Sequence, residues 1–431
     1  MQEKLLQYIW QFQYFNRSDL RTAEGEPLQI IHPGTPNKAQ GPDFLEAKIR
    51  VGDTLWAGSV ELHIRPVEWH RHGHNGDAHY ANVILHVVWE NDATQGPVLP
   101  VLELQSRVPK LMLGKYAMLM ASPGSIACGQ EAANVDPVTW LSWKDRLLAE
   151  RLTQKSDRVL QLLNETCGNW DAVAWRLLAR QFGQVQNSDL FEAMARSLPL
   201  SILMRHAHSL HDLEALLLGQ CGLLHEHHHD EYVRQLWESY QRLLARYKLQ
   251  PVRQPVHHLR MRPAGFPSVR LAQLAMLLHT RPRFFTEWLD AEHPDQVMST
   301  MQVAASDYWN THTRPDVSAA PRNRKTGDSF LARILMNAAI PMLFAYGELN
   351  GEQEKKEKAL DWAASLPPEK NTVTDGFEKI GIGNVAASDS QALLQLQYEY
   401  CSKRRCLECA VGNTLLRKCE SESVSAADLP R

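Results

Sequence analysis

The spacing of apolar residues changes once along this chain, and that change limits what it can fold into. Between residues 43 and 107, apolar and polar positions alternate in several stretches, the two-residue repeat of strands with one face turned inward. From Asp136-Pro137 onward the apolar residues recur every three to four positions, as on the buried stripe of amphipathic helices. Strand-period and helix-period segments that follow one another instead of interleaving predict an α+β chain. Its parts are an N-terminal mixed α/β sheet domain over residues 1–125 and a mostly α-helical body over 136–431. At 431 residues the chain is longer than one hydrophobic core usually fills, so the body has room for two subdomains.

Within the head, Leu5, Leu6, Ile9 and Trp10 mark a short amphipathic helix, and "GEPLQIIHPGTPNKAQGPDF" reads as turns around a strand at Leu28 to Ile31. "DFLEAKIRV" and "LWAGSVELHI" flank Gly52-Asp53, a two-residue hairpin signal. "NVILHVVWE" and "GPVLPVLELQS" are further strands. The polar stretch "EWHRHGHNGDAHYA" between these elements crosses the sheet as a loop or short helix. The body starts with the long helix "VTWLSWKDRLLAERLTQKSDRVLQLL", introduced by Asp136-Pro137, and later helices are expected at about 269–280, 329–347 and 388–419.

The formal net charge of −3 provides no general attraction to nucleic acid or to an anionic membrane. No run of eighteen apolar residues suggests a membrane span, and "MQEKLLQYIWQFQYFN" lacks the pattern of a secretory signal. Seven cysteines, an odd number, argue against a disulfide scaffold, so a cytoplasmic protein with no membrane partner is expected. Contact with DNA or RNA would fall to local basic stretches. The irregular "PVRQPVHHLRMRPAGFPSVR" and "RPDVSAAPRNRKTG" are the two candidates.

Six of the nineteen histidines lie between His63 and His86. In "VELHI", Glu61 and His63 emerge on one strand face, opposite Val60, Leu62 and Ile64. Asp43 stands at the entrance of the preceding strand. An Asp on one hairpin strand and an acid-x-base pair on the next can meet at one divalent ion, with Asp43 and Glu61 offering hard oxygen ligands to Mg²⁺ or Mn²⁺. Glu26 is a further candidate carboxylate. The order Pro42-Asp43, spacer, Glu61-Leu62-His63 resembles the restriction-endonuclease-like PD-(D/E)XK nuclease superfamily, in which an Asp after Pro precedes an acid-x-Lys on the next strand. His63 departs from that pattern by standing in the lysine's place. The resemblance implies a metal-dependent nuclease or phosphodiesterase acting on DNA or RNA, with catalytic Asp43, Glu61 and His63. The alternative is a non-catalytic module of degenerate nuclease architecture that binds nucleic acid or protein. A third reading places a metal on His63, His70 and His74. His86, inside an apolar strand run, is expected to be a hydrogen-bonded core residue unless its strand lies beside Glu61.

Two other clusters carry metal-ligating residue types. "HEHHH" at 225–229 formally contains His-Glu-x-x-His, but its position between "LLGQCGLL" and "DEYVRQLW" makes it a polar loop instead of a protease site. Cys401, Cys406, Cys409 and Cys419 lie within nineteen residues, and four thiolates can hold Zn²⁺ or an iron–sulfur cluster. Lys403, Arg404, Arg405, Arg417 and Lys418 would rim that site.

From "LLQYIWQFQYFN" through "WAGSVELHIRPVEWHRHGHNGDAHYANVILHVVWEND", "RQFGQVQNSDLFEAMARSLP" and "MRPAGFPSVRLAQLA" to "DSQALLQLQYEYCSKRRCLECAVGN", the chain resembles a bacterial family of unknown function, domain-of-unknown-function family 2851. That resemblance spans almost the whole chain and implies no particular activity, substrate or catalytic residue.

Overall fold

A computed structural model describes residues 1–37, 39–92, 99–258 and 265–425, apart from the side chains of residues 75 and 418–425. The chain forms two compact units, Met1–Trp143 with Leu396–Arg431, and Lys144–Gln395.

In the first unit, helix α1 (Glu3–Phe12) buries the four apolar residues that its spacing puts on one face, Leu5, Leu6, Ile9 and Trp10. Strands β1 (Leu28–His32), β2 (Thr35–Pro36), β3 (Phe44–Val51), β4 (Thr54–His63), β5 (Val83–Val88) and β6 (Val101–Glu103) make one mixed sheet. β3 and β4 are joined by the expected Gly52-Asp53 turn, and β1 and β2 both pair with β3 in antiparallel fashion. β4, β5 and β6 then run parallel. Parallel neighbours need a crossover. Between β4 and β5 it consists of a short helix α2 (Glu68–Arg71) and single turns at His74–Gly76 and Ala78–Tyr80. The crossover rejoins the sheet at Gly58, where a Cβ would stand 2.4 Å from the Asn82 carbonyl oxygen and 2.5 Å from Ile84 Cγ2. Only a residue without a side chain allows that approach.

Val60 and Leu62 enter a core shared with α1 and with Met112 and Leu119 of helix α3 (Lys110–Ala121). Glu61 and His63, on the other face of β4, are buried as well. A hairpin with a polar, solvated outer face is therefore not what forms, because the crossover folds back over that face.

Helix α4 (Pro137–Glu165) leads into the second unit, which is helical and builds its core from residues such as Leu152, Trp175, Phe191, Leu216 and Trp309. Among the described residues, Asp328–Asn350 is one helix long and apolar enough to cross a membrane, and 83% of its apolar window is buried inside the unit.

Two boundaries differ from the expectation. The helix expected at 388–419 is broken: Ala387–Gln395 runs into a π-helical stretch, Leu396–Cys401, and a new helix starts only at Ala410. The turns between them carry Cys406 and Cys409. The cysteine-bearing segment 401–419, expected with the helical body, belongs to the first unit. Cys406 and Leu416 pack into the core that holds Leu6 and Trp10, and Tyr8 Oη donates to Asn413 Oδ1 at 2.6 Å. Burial of apolar surface against the sheet draws this distant segment back, which local periodicity cannot register.

Candidate metal centre

Asp43 precedes β3 beside a bulge, where the β3–β4 register shifts and Glu46 takes a left-handed backbone (φ 57°). The two candidate carboxylates are locked reciprocally. Glu61 Oε2 accepts the Asp43 backbone N–H at 3.0 Å, and Asp43 Oδ2 accepts the Leu62 backbone N–H at 3.1 Å. Asp43 Oδ1 also accepts from Gln7 Nε2 of α1 at 2.8 Å. Burial makes the charged forms costly. It pushes the Asp43 carboxyl up to about 7, against the Leu62 hydrogen bond, and Glu3 adds to the rise. Glu61 is pushed up to about 8 by burial, then by the neighbouring Asp43 charge. Two crowded acids of this kind either keep protons or share a cation.

Imidazoles stand beside Glu61. His63 Nε2 lies 3.6 Å from Glu61 Oε1, and His74 Nε2 lies 3.4 Å from the same oxygen. His63 Nε2 is also 3.2 Å from His72 Nδ1. His63, His72 and His74 each offer a ligand atom, and these atoms lie within 4.8 Å of one another. A tetrahedral ion with bonds of 2.0–2.1 Å holds its ligand atoms about 3.3 Å apart, so these spacings suit a shared ion. His74 Nε2 is buried and has no hydrogen-bond partner. Burial, then neighbouring imidazoles, holds His63 down at about 3, and burial lowers His74 too. Both rings are therefore neutral, the form that binds metals.

His86 has a supporting place. Its strand does lie beside that of Glu61, in parallel register Glu61 to His86. Its Nε2 is 2.9 Å from His63 Nδ1. A metal on His63 Nε2 puts the ring proton on Nδ1, and His86 Nε2 is placed to accept it and so orient the ligand. Trp69 stands edge-on to His63 at 6.4 Å, and Tyr80 stacks on His74 at 3.8 Å between ring centres. These rings wall the centre; of the three grouped histidines only His72 is exposed.

Asp43 and Glu61 are bonded to each other's strand segments and Glu61 lies beside His63, while the set grouped closely enough to share an ion, His63, His72 and His74, differs in composition from the one read in the sequence. His70 is exposed and His72 takes the place foreseen for it. No spacing rule selects one over the other, because a four-residue helix decides which ring turns inward. Glu26 is exposed next to the Gly52 turn, at the opposite end of the β3–β4 hairpin from Asp43. His79 is exposed and pairs with Asp77 at 2.6 Å. With three imidazoles in the set, the donors suit Zn²⁺ or Mn²⁺ better than Mg²⁺.

The family described as Protein of unknown function (DUF2851) has a sequence profile that matches residues 3–372. The chain belongs to that family. No curated protein and no solved structure matches it. The matched residues contain the whole centre just described, from Glu3 to His86, and the family's description assigns it no chemistry.

The other motifs resolve into structure. "HEHHH" is a loop in which His228 Nδ1 meets Asp316 Oδ2 at 2.6 Å, and Asp316 Oδ1 accepts the backbone N–H groups of His229 and Asp230 at 3.0 and 2.9 Å. In the basic stretches, Arg270 is buried with its guanidinium 3.7 Å over the Phe330 ring, and Arg324 is buried with its Nε donating to the Trp309 carbonyl at 3.1 Å. These two side chains serve packing and do not face solvent. Residues 259–264, with the other arginines of "HHLRMRP", lie outside the described residues.

Proposed function

We propose that this chain is a metal-dependent hydrolase of phosphodiester bonds in DNA or RNA, working at the centre formed by Glu61, His63, His72 and His74. The observation that carries the reading is that Glu61, bonded to the Asp43 backbone, stands within 3.6 Å of His63 and 3.4 Å of His74 beside a closely grouped set of three imidazoles. A divalent ion bound there would supply an activated water and positive charge toward a phosphate. Glu61 and the three histidines hold it; His86 orients His63; Asp43 adds a second carboxylate fixed by Leu62 and Gln7. The antiparallel β3–β4 hairpin beside parallel β4–β5, with the acids on the hairpin, supports the nuclease class over other hydrolases. That support is architectural, and the substrate follows from it alone.

One observation favours a second reading. Glu61 is 5% and His63 0% exposed, so a substrate would reach the ion only past His72. In that reading the ion holds the head together, and the same surface binds nucleic acid or protein without cleaving it. Cleavage of labelled single- and double-stranded DNA and RNA by protein loaded with Mn²⁺ or Zn²⁺, compared with Mg²⁺, separates the two. Activity that disappears in Glu61→Ala supports the hydrolase. Stoichiometric metal with no cleavage of any of the four substrates supports the structural ion, and no metal uptake at all removes both.

A further inference from the structure

The second concentration of metal-ligating residues lies in the same unit and belongs to none of the chemistry above. The turns between Leu396–Cys401 and the helix Ala410–Ser425 present Cys401, Cys406 and Cys409 to one cavity. The fourth thiol on that cavity is Cys128, from a loop far upstream. All six pairs among Cys128, Cys401, Cys406 and Cys409 are near enough for their charges to interact. Each of the four is a free thiol. Cys419, which sequence spacing offered as the fourth ligand, has a side chain outside the described residues.

The surroundings are built toward this grouping. Arg404 adopts a left-handed backbone (φ 52°) and donates its guanidinium to the carbonyls of Ser122 and Gly124, the latter at 3.0 Å. Gln397 Nε2 donates to the Ser125 carbonyl at 3.3 Å. These bonds tie the loop that carries Cys128 to the segment that carries the other three. Cys409 sits at the start of its helix, and burial pushes its thiol up to about 11. Gly412 lies so close to the Cys406 carbonyl that a Cβ would stand 2.2 Å from its oxygen, so the turn closes only with glycine there.

A single zinc ion with Zn–S bonds of about 2.3 Å would hold its sulfurs about 3.8 Å apart. Among the described residues, no three of these sulfurs are grouped within 4.8 Å of one another, so they do not meet that spacing. Four thiols that surround a common cavity without closing to single-ion distances suit a larger inorganic group. We infer that Cys128, Cys401, Cys406 and Cys409 ligate an iron–sulfur cluster, which joins the C-terminal segment to the sheet domain.

The test uses the full chain, purified without oxygen and reconstituted with ferrous iron and sulfide. The expected result is iron and acid-labile sulfide in equal, stoichiometric amounts, with a visible charge-transfer band that dithionite bleaches. Cys128→Ser and Cys406→Ser should lose the band, while Cys167→Ser and Cys221→Ser keep it. Far-UV circular dichroism shows whether each variant is folded, and loss of the band in a folded Cys128→Ser protein is the decisive outcome. A colourless reconstituted protein, one tightly held zinc per chain in place of iron, or a cluster that survives Cys128→Ser and disappears in Cys419→Ser would each overturn the assignment.

Discussion

Replacing Glu61 by Gln should change the pH at which the histidine centre takes up metal, and the direction follows from burial. In the metal-free protein, burial and Asp43 raise the Glu61 carboxyl to about 8. A cation must displace that proton before Oε1 can serve as a ligand. Affinity therefore climbs with pH until about 8 and levels off above it. Each pH unit below 8 costs about tenfold, so pH 6 is about a hundredfold worse, or about 2.7 kcal/mol. Below about 7 the Asp43 carboxyl holds a proton too, and the slope steepens if the bound ion needs both charges. His63 works against none of this, because burial keeps its ring neutral down to about 3. Without the carboxylate in the ligand set, the profile would lack the break near 8, because burial lowers His63 and His74. Glu61→Gln retains an oxygen and the side-chain volume but has no proton to lose. It should bind more weakly at pH 8 and show a flat profile from 8 down to about 7. Titration with Co²⁺ from pH 5.5 to 9 reads both affinity and coordination, since a tetrahedral site gives an intense visible band. A profile that is the same in wild type and Glu61→Gln would refute the reasoning, placing the carboxylate outside the ligand set.

Three further outcomes are expected. His86→Phe keeps a ring against Trp69 but removes the acceptor for His63 Nδ1, and should weaken Co²⁺ binding roughly 10- to 100-fold; unchanged affinity would reduce His86 to a packing residue. Gly58→Ala forces a Cβ against the Asn82 carbonyl and should destabilise the sheet unit by about 1–3 kcal/mol, seen in the thermal unfolding of metal-free protein; an unaltered melting temperature would contradict the close approach. Asp316→Ala strips His228 and two backbone N–H groups of their acceptor, a loss of about 1–3 kcal/mol. Amide exchange over residues 225–230 should speed up, and exchange that stays slow would show that the loop is held by something else.

Much of the sheet domain is legible without coordinates. Alternation places Val60 and Leu62 on one face and Glu61 and His63 on the other, and Gly52-Asp53 marks the turn between the strands that carry Asp43 and Glu61. The period change at Asp136-Pro137 separates strands from helices for the same reason: both depend on which residues fall on one side of a local repeat. A short motif such as His-Glu-x-x-His at 225–229 misleads when that local frame is missing, and its flanks were enough to read it as a loop.

What needed the tertiary structure is everything set by contact between distant segments. Whether His86 is a plain core residue depends on β5 lying parallel to β4, and pairing partners are chosen by burial over the whole sheet. His72 enters the metal centre and His70 does not because a single helical turn in the crossover brings one ring to His63. Burial of that face, which moves the Asp43, Glu61 and His63 protons so far from their ordinary values, comes from the crossover folding over it. The cysteines give the clearest case. Sequence spacing groups residues 401 to 419, whereas the folded chain draws in Cys128 from well over two hundred positions upstream. Local spacing governs which way a side chain points along its own element. Only the packing of one element on another, driven by apolar burial, governs which side chains from separate elements share a site.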